Sequence, residues 1–436
     1  MSRALLLMAT LLVIAAGFYI NSDDGGKPNS QSAAAADSEA TPTHACNGDP
    51  TDVPPMPHST FCQAIPAPPI VAANSAAIIS YYATSGEYPQ LSDQNCCSGI
   101  LYQFGATGAP GSPPPSWATR SAVYWARSSD PSYRLNDLGE YTEPTPPPGT
   151  AIQIPDGAKP QGYDPSCTPP PAGMSHGLPI AGWTCTGGGG EGHMAVIDPT
   201  HTWEYDFYRV YQIGGGTITS EQVAKFALAQ TDGWGCTNGK SACFWGQTTA
   251  SNRALSQGLV APRELLNGSI NHALTFSGGC SSGEAVLPAY GSDSPCDDKR
   301  NALAEGQKVF LAACSSYPNC PSWQSVATIA GWNVPKPSKI VLDALATYGM
   351  YLTDTGIKGW YLETFEPHSY LSSNPIKNYW PAVAQKYNLR PYPIGKDGLN
   401  LFGYDFAFRN VPDNPKAPPG TSGLWSWMAV CSKSGC

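Results

Sequence analysis

Apolar and polar residues alternate on both sides of a turn in the stretch EGHMAVIDPTHTWEYDFY, residues 191–208. Residues 193–198 and 203–210 have the two-residue period of a strand, and Pro199 after Asp198 is typical of the turn between two strands. The pattern predicts a β-hairpin with residues 199–202 as its loop. The opposed pairs are then Ile197 with Glu204, Ala195 with Asp206, and His193 with Tyr208.

This register separates the side chains of the hairpin into two faces. A slip by one residue would set the polar set of one strand against the apolar set of the other, so the segregation supports the register. The apolar face carries Met194, Val196, Trp203, Tyr205 and Phe207. The polar face carries His193, Glu204, Asp206 and Tyr208.

Three later stretches have helical patterns with readable ends. TSEQVAKFALAQ begins with Ser220 as N-cap, APRELLNG has Pro262 in its first turn and Gly268 past its end, and SKIVLDALATYG begins at Ser338 and stops at Gly349. Strand signals dominate the rest of the chain after residue 186. We therefore expect a mostly β fold, an antiparallel, jelly-roll-like β-sandwich with a few peripheral helices and disulfide-stapled loops.

Composition divides the chain into four parts. An apolar run over residues 4–20 follows Arg3 and predicts a signal peptide in residues 1–20, with an uncleaved membrane anchor as the alternative. Residues 21–45 are poor in bulky apolar side chains and predict a disordered linker. Residues 46–185 form a Pro- and Cys-rich N-terminal part of the globular region, and residues 186–436 form the β-sandwich core with insertions.

Charge and cysteine content narrow the class of protein. A formal net charge of −9 and a pI near 5.2 give no basic surface for nucleic acid. Fourteen cysteines fit an oxidising compartment, so we expect a secreted or extracellular protein, with a periplasmic or membrane-anchored one as the alternative. Three cysteine pairs are close enough in sequence to close small loops: Cys236 with Cys243, Cys314 with Cys320, and Cys431 with Cys436.

The polar face of the hairpin is the strongest candidate for chemistry. Opposed residues of a sheet have Cβ atoms roughly 4.5 to 5.5 Å apart, so His193, Asp206 and Tyr208 would lie within reach of one sugar ring. Paired carboxylates hydrolyse glycosidic bonds, whereas a histidine and a tyrosine can move the protons of an elimination. The alternative is a solvated sheet face on which His193 and Asp206 form a structural pair. We take His193, Glu204, Asp206 and Tyr208 as candidate catalytic residues.

Three ordered blocks of the sequence resemble a secreted bacterial family of hypothetical proteins. They are EGHMAVIDPTHTWEYDFYRV, TTASNRALSQGLVAPRELLNGSINHALTF and LDALATYGMYLTDTGIKGWYL, within residues 187–365. The family has a G-D-x-H-x-x-x-x-D strand, a Y-E-h-Y/W strand (h apolar), a G-x-I-x-H-A-L segment and an A-L-x-x-Y-G-M block. The resemblance implies a shared β-rich fold and no established reaction.

The family's motif residues fall on four positions of this chain: His193, Asp198, Asp206 and His272. The chain departs from the pattern with Glu191 where the family often has Asp, and with Asp206 where it often has Glu. An acid shortened by one methylene puts a fixed active-site geometry in doubt. In SINHALTF, His272 is a further candidate catalytic residue, with a satisfied core or edge histidine as the alternative. Asp343 and Asp354 carry no prediction.

The remaining clues concern ligands. Trp234, Trp245 and Trp360 lie in or beside Gly-rich segments, where an exposed indole can bind a sugar face, so we take them as candidate substrate-binding residues, with core packing as the alternative. No motif for a nucleotide, a nucleophilic serine or a zinc ion occurs, and no cofactor is expected. A structural calcium ion stays open, although no loop has EF-hand spacing.

Two functions of different classes are compatible with these observations. The first is a secreted carbohydrate-active enzyme that cleaves a polysaccharide, as a glycoside hydrolase or a polysaccharide lyase. The second is a non-catalytic extracellular protein that binds glycans or other envelope components. The expected partner is therefore a polysaccharide or cell-envelope glycan, with no nucleic acid, and with a membrane only through an uncleaved N-terminal segment.

Overall fold

A computed structural model describes most of the chain after residue 55. The described residues are 56–84, 120–138, 146–161, 192–235, 244–312, 328–355, 360–365, 379–389, 391–392, 403–404 and 410–436. All of them belong to one compact unit, His44–Cys436. The predicted signal peptide and linker lie outside the described residues.

Most of the regular structure in these residues consists of short strands. In chain order they are β1 (Arg120–Ser121), β2 (Val123–Trp125), β3 (Ser132–Asp137), β4 (Ala151–Gln153), β5 (Met194–Ile197), β6 (Trp203–Gly214), β7 (Thr217–Ala227), β8 (Phe244–Trp245), β9 (Leu274–Ser277), β10 (Lys308–Leu311), β11 (Met350–Asp354), β12 (Tyr361–Leu362), β13 (Thr364–Phe365), β14 (Pro391–Tyr392), β15 (Gly403–Tyr404) and β16 (Met428–Val430). The mostly β fold class is confirmed.

Few helices accompany the strands. The α-helices with defined bounds are α1 (Ser75–Thr84), α2 (Pro262–Asn267), α3 (Lys336–Thr347) and α4 (Trp380–Tyr387). Short 3₁₀ turns cover Thr60–Cys62, Lys299–Asn301 and Gly423–Trp427. Helix α3 packs on β10, α2 packs on α4, and α1 packs on β16.

Two sheets contain most of the strands. The larger has seven strands in the order β2-β5-β6-β7-β3-β4, with β8 also paired to β7. The second has five strands in the order β12-β9-β11-β10-β16. Residues on both sides of the expected division at residue 185 contribute strands to the larger sheet, because β2 and β3 pair with β5 and β7.

The sheets are mixed and not purely antiparallel as expected. The pairs β2 with β5, β3 with β7, and β9 with β11 are all parallel. Parallel neighbours need a crossover connection, which local strand and turn signals do not reveal. The parallel pairs could therefore not be predicted from the local sequence pattern of each strand.

The register of the hairpin is confirmed. Strands β5 and β6 are antiparallel, with Ala195 opposite Asp206 and Ile197 opposite Glu204. The turn is held by Asp198, whose Oδ1 accepts hydrogen bonds from the backbone N–H groups of Thr202 and Trp203 at 2.7 and 2.8 Å. A side chain that bonds the backbone of its own turn fixes loop length, and loop length fixes register.

The first of the three predicted helices is wrong. Ser220 caps no helix, because Thr217–Ala227 is the extended strand β7, paired with β6 along its whole length. The Oγ of Ser220 instead donates to the backbone oxygens of Tyr208 and Gln222, at 2.5 and 2.8 Å. Both faces of β7 are largely buried, so the two-residue alternation that marks a strand is missing from its sequence.

The other two helices are confirmed. Helix α2 starts at Pro262 and ends before Gly268, whose φ of 94° is left-handed. Helix α3 begins at Lys336, two residues before the predicted start, because Pro337 is tolerated in a first turn. It ends before Gly349, where φ is 75° and an added Cβ would lie 2.6 Å from the backbone oxygen of Val309.

Two disulfides are defined among the described residues. Cys431–Cys436 confirms one predicted small loop. Cys280–Cys296, with a sequence separation of 16, is a pairing that the sequence did not indicate. The predicted pairs Cys236 with Cys243 and Cys314 with Cys320 lie outside the described residues. In the described part of the chain, no helix is long and apolar enough to cross a bilayer.

Gly246 lies where β8 leaves the edge of the larger sheet, and the backbone there is very close. An added Cβ would lie 2.0 Å from the backbone oxygen of Val223, and φ is +77°. We expect Gly246→Ala to lower the free energy of unfolding by about 3 kcal/mol or more, measured by urea denaturation. Gly215→Ala is the matched control, because Gly215 has a φ of +60° with no atom within 4 Å of the added Cβ. It should cost only about 1 to 2 kcal/mol, and equal losses would contradict the close approach.

Candidate functional site

The polar face of the hairpin is largely buried, and the alternative of a solvated sheet face is wrong for its two acids. Glu204 and Asp206 are both 0% exposed. His193 is 5% exposed, and Tyr208 is partly exposed. The face is covered by residues 251–260, an irregular stretch that we call the core segment, every residue of which is buried.

The two acids bind the backbone of the core segment. The N–H of Leu255 donates to Asp206 Oδ2 at 2.8 Å. The N–H and Oγ of Ser256 donate to Glu204 Oε1 and Oε2, at 2.9 and 2.5 Å. Buried backbone groups outside regular structure need such partners, since an unsatisfied one costs about 1 to 3 kcal/mol. Glu204 and Asp206 therefore hold an irregular chain inside the core.

A buried arginine donates hydrogen bonds to the backbone oxygens of the core segment. Arg253 is 1% exposed, and its guanidinium donates to the backbone oxygens of Ala254, Leu255 and Gln257 at 3.2, 2.9 and 3.0 Å. Its Nη2 lies 2.6 Å from Oε2 of Glu363, which follows β12. The ion pair thus ties the core segment to the five-stranded sheet, while Glu204 and Asp206 tie it to the seven-stranded one.

The pKa values of Glu204 and Asp206 are both raised. Burial raises the pKa of both carboxyl groups, and the negative charge of Glu204 raises the pKa of Asp206 further. The hydrogen bonds that Ser256 donates offset part of the effect at Glu204. The positive charge of Arg253 offsets part of the effect at both carboxyl groups.

A second set of side chains lies on the same face, one step further from the turn. The rings of His193 and Tyr208 are 5.2 Å apart between centroids, as the predicted register requires. Tyr208 is directly opposite Gln222 of β7. His193, Tyr208 and Gln222 therefore form a row across three adjacent strands, which we call the polar row. Ala195 and Ala224 flank Asp206 in the adjacent row, and both are packed in the core.

The backbone is distorted immediately beside the polar row. Arg209 has a φ of 50°, and the register of β6 with β7 shifts between Val210 and Gln212. The Arg209 guanidinium lies 4.9 Å from the centre of the Tyr208 ring, and its Nη1 is 3.0 Å from each carboxylate oxygen of Glu221. Bulges and left-handed non-glycine residues cluster at functional sites, where they redirect a side chain.

Gln222 is the member of the polar row that the protein itself leaves unsatisfied. It is 0% exposed, and neither its amide oxygen nor its amide nitrogen has a hydrogen-bond partner in the part of the chain that the structure describes. A buried amide without partners is rare in native proteins, and a functional role is one of its recognised explanations. Sequence analysis missed Gln222 because it lies in the stretch interpreted as a helix.

Two of the three candidate sugar-binding tryptophans are buried in the core. Trp234 is 0% exposed, stacks on Phe61 and donates from Nε1 to Thr60 Oγ1 at 3.0 Å. Trp360 is 1% exposed and packs against Phe276. Both side chains are core residues, and the glycines on either side of Trp234 lie close to aromatic rings. The side chain of Trp245 lies outside the described part of the structure.

His272 and Asp198 have structural contacts. His272 Nε2 lies 3.0 Å from Glu264 Oε1 of α2, and its Nδ1 is 2.8 Å from the backbone oxygen of Ala273. Burial lowers the pKa of His272, but the Glu264 carboxylate and the Ala273 carbonyl outweigh that effect and raise it overall. Asp198 holds the hairpin turn. The structure brings neither of them to the polar row.

A further carboxyl pair escaped sequence analysis. Glu305 is 0% exposed, and burial together with the nearby Asp293 charge raises its pKa to about 9. Its Oε1 accepts the N–H of Asp293 at 3.2 Å, and the Asp293 carboxylate accepts the hydroxyl of Thr355. Glu305 is therefore a neutral acid at neutral pH. No local sequence pattern marks Glu305, because its neighbour Asp293 comes from the loop closed by Cys280–Cys296.

Comparisons add no relative to this description. The chain matches no known family model, no curated protein and no solved structure. The resemblance to a secreted bacterial family therefore stays a prediction. Within the described ranges, no group of three or more His, Cys, Asp or Glu side chains is arranged to hold a metal ion.

The two acids of the hairpin accept different numbers of hydrogen bonds, so we expect different outcomes when each is replaced. Asp206→Asn keeps an acceptor for the Leu255 N–H, so it should cost less than about 1 kcal/mol of unfolding free energy. Glu204→Ala leaves both hydrogen-bond donors of Ser256 without an acceptor and should cost about 3 kcal/mol or more of unfolding free energy. Urea denaturation of the two variants at neutral pH measures the difference. Equal losses would contradict this difference between the two acids.

The raised pKa of Glu305 predicts a loss of stability as pH rises. The unfolded chain releases this proton near the ordinary glutamate pKa, whereas the folded protein holds it to about pH 9. Unfolding therefore releases a proton throughout this window, and the free energy of unfolding falls from roughly pH 5 upward until the folded pKa is passed. Glu305→Gln mimics the neutral acid and should flatten this fall by more than about 1.4 kcal/mol, the value of one pKa unit.

Denaturation midpoints measured across this pH range give the slope. Glu284→Gln is the matched control, because Glu284 is exposed and contacts Lys433 at the surface. It should leave the slope as in the unaltered protein. A Glu305→Gln slope identical to that of the control would show that Glu305 is ionised in the folded protein.

Proposed function

We propose that the protein is a secreted carbohydrate-active enzyme that cleaves a polysaccharide by elimination at the polar row. The observation that carries the proposal is the contact between His193 and Tyr208, whose ring centroids are 5.2 Å apart. Two proton-transfer groups of different kinds stand side by side there, and Tyr208 retains access to solvent. An elimination needs one group to remove a proton and one to return a proton.

The carboxyl groups of this face support elimination over hydrolysis. A glycosidase places its two carboxyl groups about 5 to 9.5 Å apart, on either side of the bond that is cleaved. Glu204 and Asp206 instead accept hydrogen bonds from the core segment. Their role in this proposal is to hold β6 and to carry a fixed negative charge behind the row.

The proposed step is a β-elimination on a sugar whose ring carbon bears an acidified C–H bond. His193 takes that proton, and the electron pair of the C–H bond forms a carbon–carbon double bond. The neighbouring carbon–oxygen bond of the glycosidic linkage breaks, and Tyr208 gives a proton to the departing oxygen. No oxidant or further reactant is required, and water later restores both residues to their starting states.

The wider setting agrees with an exported protein. Disulfides Cys280–Cys296 and Cys431–Cys436 fit an oxidising compartment. A jelly-roll arrangement of the two sheets belongs to the proposal as well, as does the fate of the N-terminal apolar run.

Activity assays on a polysaccharide panel test the proposal. Reducing ends report any cleavage, and the ultraviolet absorbance of unsaturated sugars reports elimination alone. We expect His193→Ala and Tyr208→Phe each to lower the rate by about 100-fold or more, as loss of a general acid or base does. Controls are His201→Asn in the hairpin loop and Tyr133→Phe on β3, which should keep full activity.

The same assays separate the proposal from its alternative. A protein that binds members of the panel without producing reducing ends would be a glycan-binding protein. Cleavage without ultraviolet absorbance would show hydrolysis and move the chemistry to other carboxyl groups. Full activity in both row variants, with folding confirmed by melting temperature, would remove the polar row from the mechanism.

A further inference from the structure

The two ring nitrogens of His272 both face oxygen atoms that accept hydrogen bonds. Nε2 lies 3.0 Å from Oε1 of Glu264, and Nδ1 lies 2.8 Å from the backbone oxygen of Ala273. A neutral imidazole has one donor nitrogen and one acceptor nitrogen, so it would set a lone pair against one of these oxygens. A doubly protonated ring donates to both. The geometry therefore favours a positive charge on His272, which is only 5% exposed.

Glu264 supplies the opposite charge at the point where the core segment becomes helix α2. Its Oε2 accepts the N–H of Ala261, the first residue after the core segment, at 3.2 Å. A hydrogen bond donated to a carboxylate favours the charged form of that carboxylate. Glu264 is 6% exposed, and a buried charge without a partner is costly. The charge on Glu264 therefore depends on the charge on His272.

We propose that His272 and Glu264 form a proton-dependent lock, which holds α2 against the start of β9 in mildly acidic solution and opens as pH rises. When the ring loses a proton, one of its nitrogens turns a lone pair toward Glu264 or Ala273, and the buried carboxylate loses its cation. The segment that moves is residues 262–273, which contains α2 and the turn that leads to β9. The lock is independent of the polar row and of the proposed elimination.

Helix α4 rests on the segment that the lock holds. The Tyr387 hydroxyl donates to the backbone oxygen of Leu265 at 2.6 Å, and Lys386 Nζ donates to the backbone oxygen of Leu266. Both acceptors lie in α2, and α2 and α4 pack against each other. Opening of the lock therefore loosens a corner made of two helices.

The other charges around this corner are engaged elsewhere. Among the described residues, the charge that acts on His272 is that of Glu264. Arg263 donates to the hydroxyl of Tyr379 at 2.8 Å, and Lys386 binds the backbone of α2. Strand β9 and the first 3₁₀ turn, which packs beside its start, contain no charged side chain. The response of the lock to pH therefore depends on one histidine and one carboxylate.

The direction of the response follows from the protonation of His272. Burial lowers the pKa of the ring, but the Glu264 carboxylate and the Ala273 carbonyl raise it overall above its ordinary value of 6.5. The stabilisation is therefore complete below pH 6.5 and is lost as pH rises through the folded pKa. In that window each pH unit should raise the population of the open segment by up to about tenfold.

NMR titration of the histidine rings in the full protein tests the charge directly. The His272 signal is assigned as the one that His272→Asn removes. We expect the ring of the unaltered protein to lose its proton above pH 6.5. Glu264→Gln keeps an acceptor for the Ala261 N–H and gives a neutral ring a donor for its Nε2 lone pair, so in this variant burial should shift the titration below pH 6.5. The control Glu284→Gln, at an exposed position, should leave it unchanged.

Hydrogen exchange of the α2 backbone, corrected for the intrinsic effect of pH, tests the lock itself. The N–H groups of Leu265 and Gly268 are bonded to the backbone oxygens of Ala261 and Glu264. We expect their protection to fall by up to about tenfold per pH unit as His272 loses its proton, and to fall less in Glu264→Gln, whose ring is already neutral.

Each result either supports or overturns the proposal. Titration of His272 at or below pH 6.5 in the unaltered protein would show a neutral ring and remove the lock. Titration above pH 6.5 with equal loss of α2 protection in the unaltered protein and in Glu264→Gln would show a buried charge that does not control the helix, and would also overturn it. Neither outcome bears on the chemistry proposed for the polar row.

Discussion

The fold depends on satisfying the backbone of an irregular segment that passes between two sheets. Residues 251–260 are all buried, and they cannot use the regular ladder of a strand for their N–H and C=O groups. Glu204 and Asp206 supply acceptors from one sheet, and Arg253 supplies donors to the backbone while its charge is balanced by Glu363 beside the other sheet. Removing one member of such a buried pair is far more costly than removing a surface ion pair.

This constraint divides one face of β6 into a structural part and a part that we propose for chemistry. Near the turn, the carboxyl groups accept hydrogen bonds from the core segment, so their role is structural. Further along lie His193, Tyr208 and Gln222, and a bulge at Arg209 distorts the strand next to them. The proposed chemistry belongs to the second part. The first part gives it a rigid support, which a precise proton-transfer geometry requires.

The parts of the structure that local patterns encode were predictable. The Asp198 turn and the alternation around it gave the pairing of Ala195 with Asp206, and Gly268 and Gly349 marked the ends of their helices. Burial of the polar face was not predictable, since the covering segment lies some 50 residues further along the chain. Gln222 was missed for a related reason: pairing with β6 overrides the helical pattern of its own stretch.

Hydrogen exchange of the Leu255 and Ser256 backbone N–H groups tests the division of this face most directly. The account predicts that these N–H groups exchange only on global unfolding in the unaltered protein, because both are bonded to buried carboxyl groups. It further predicts that Glu204→Ala accelerates their exchange, while His193→Ala and Tyr208→Phe leave it unchanged. Fast exchange in the unaltered protein, or equal acceleration by Tyr208→Phe, would contradict a face divided into a structural and a chemical part.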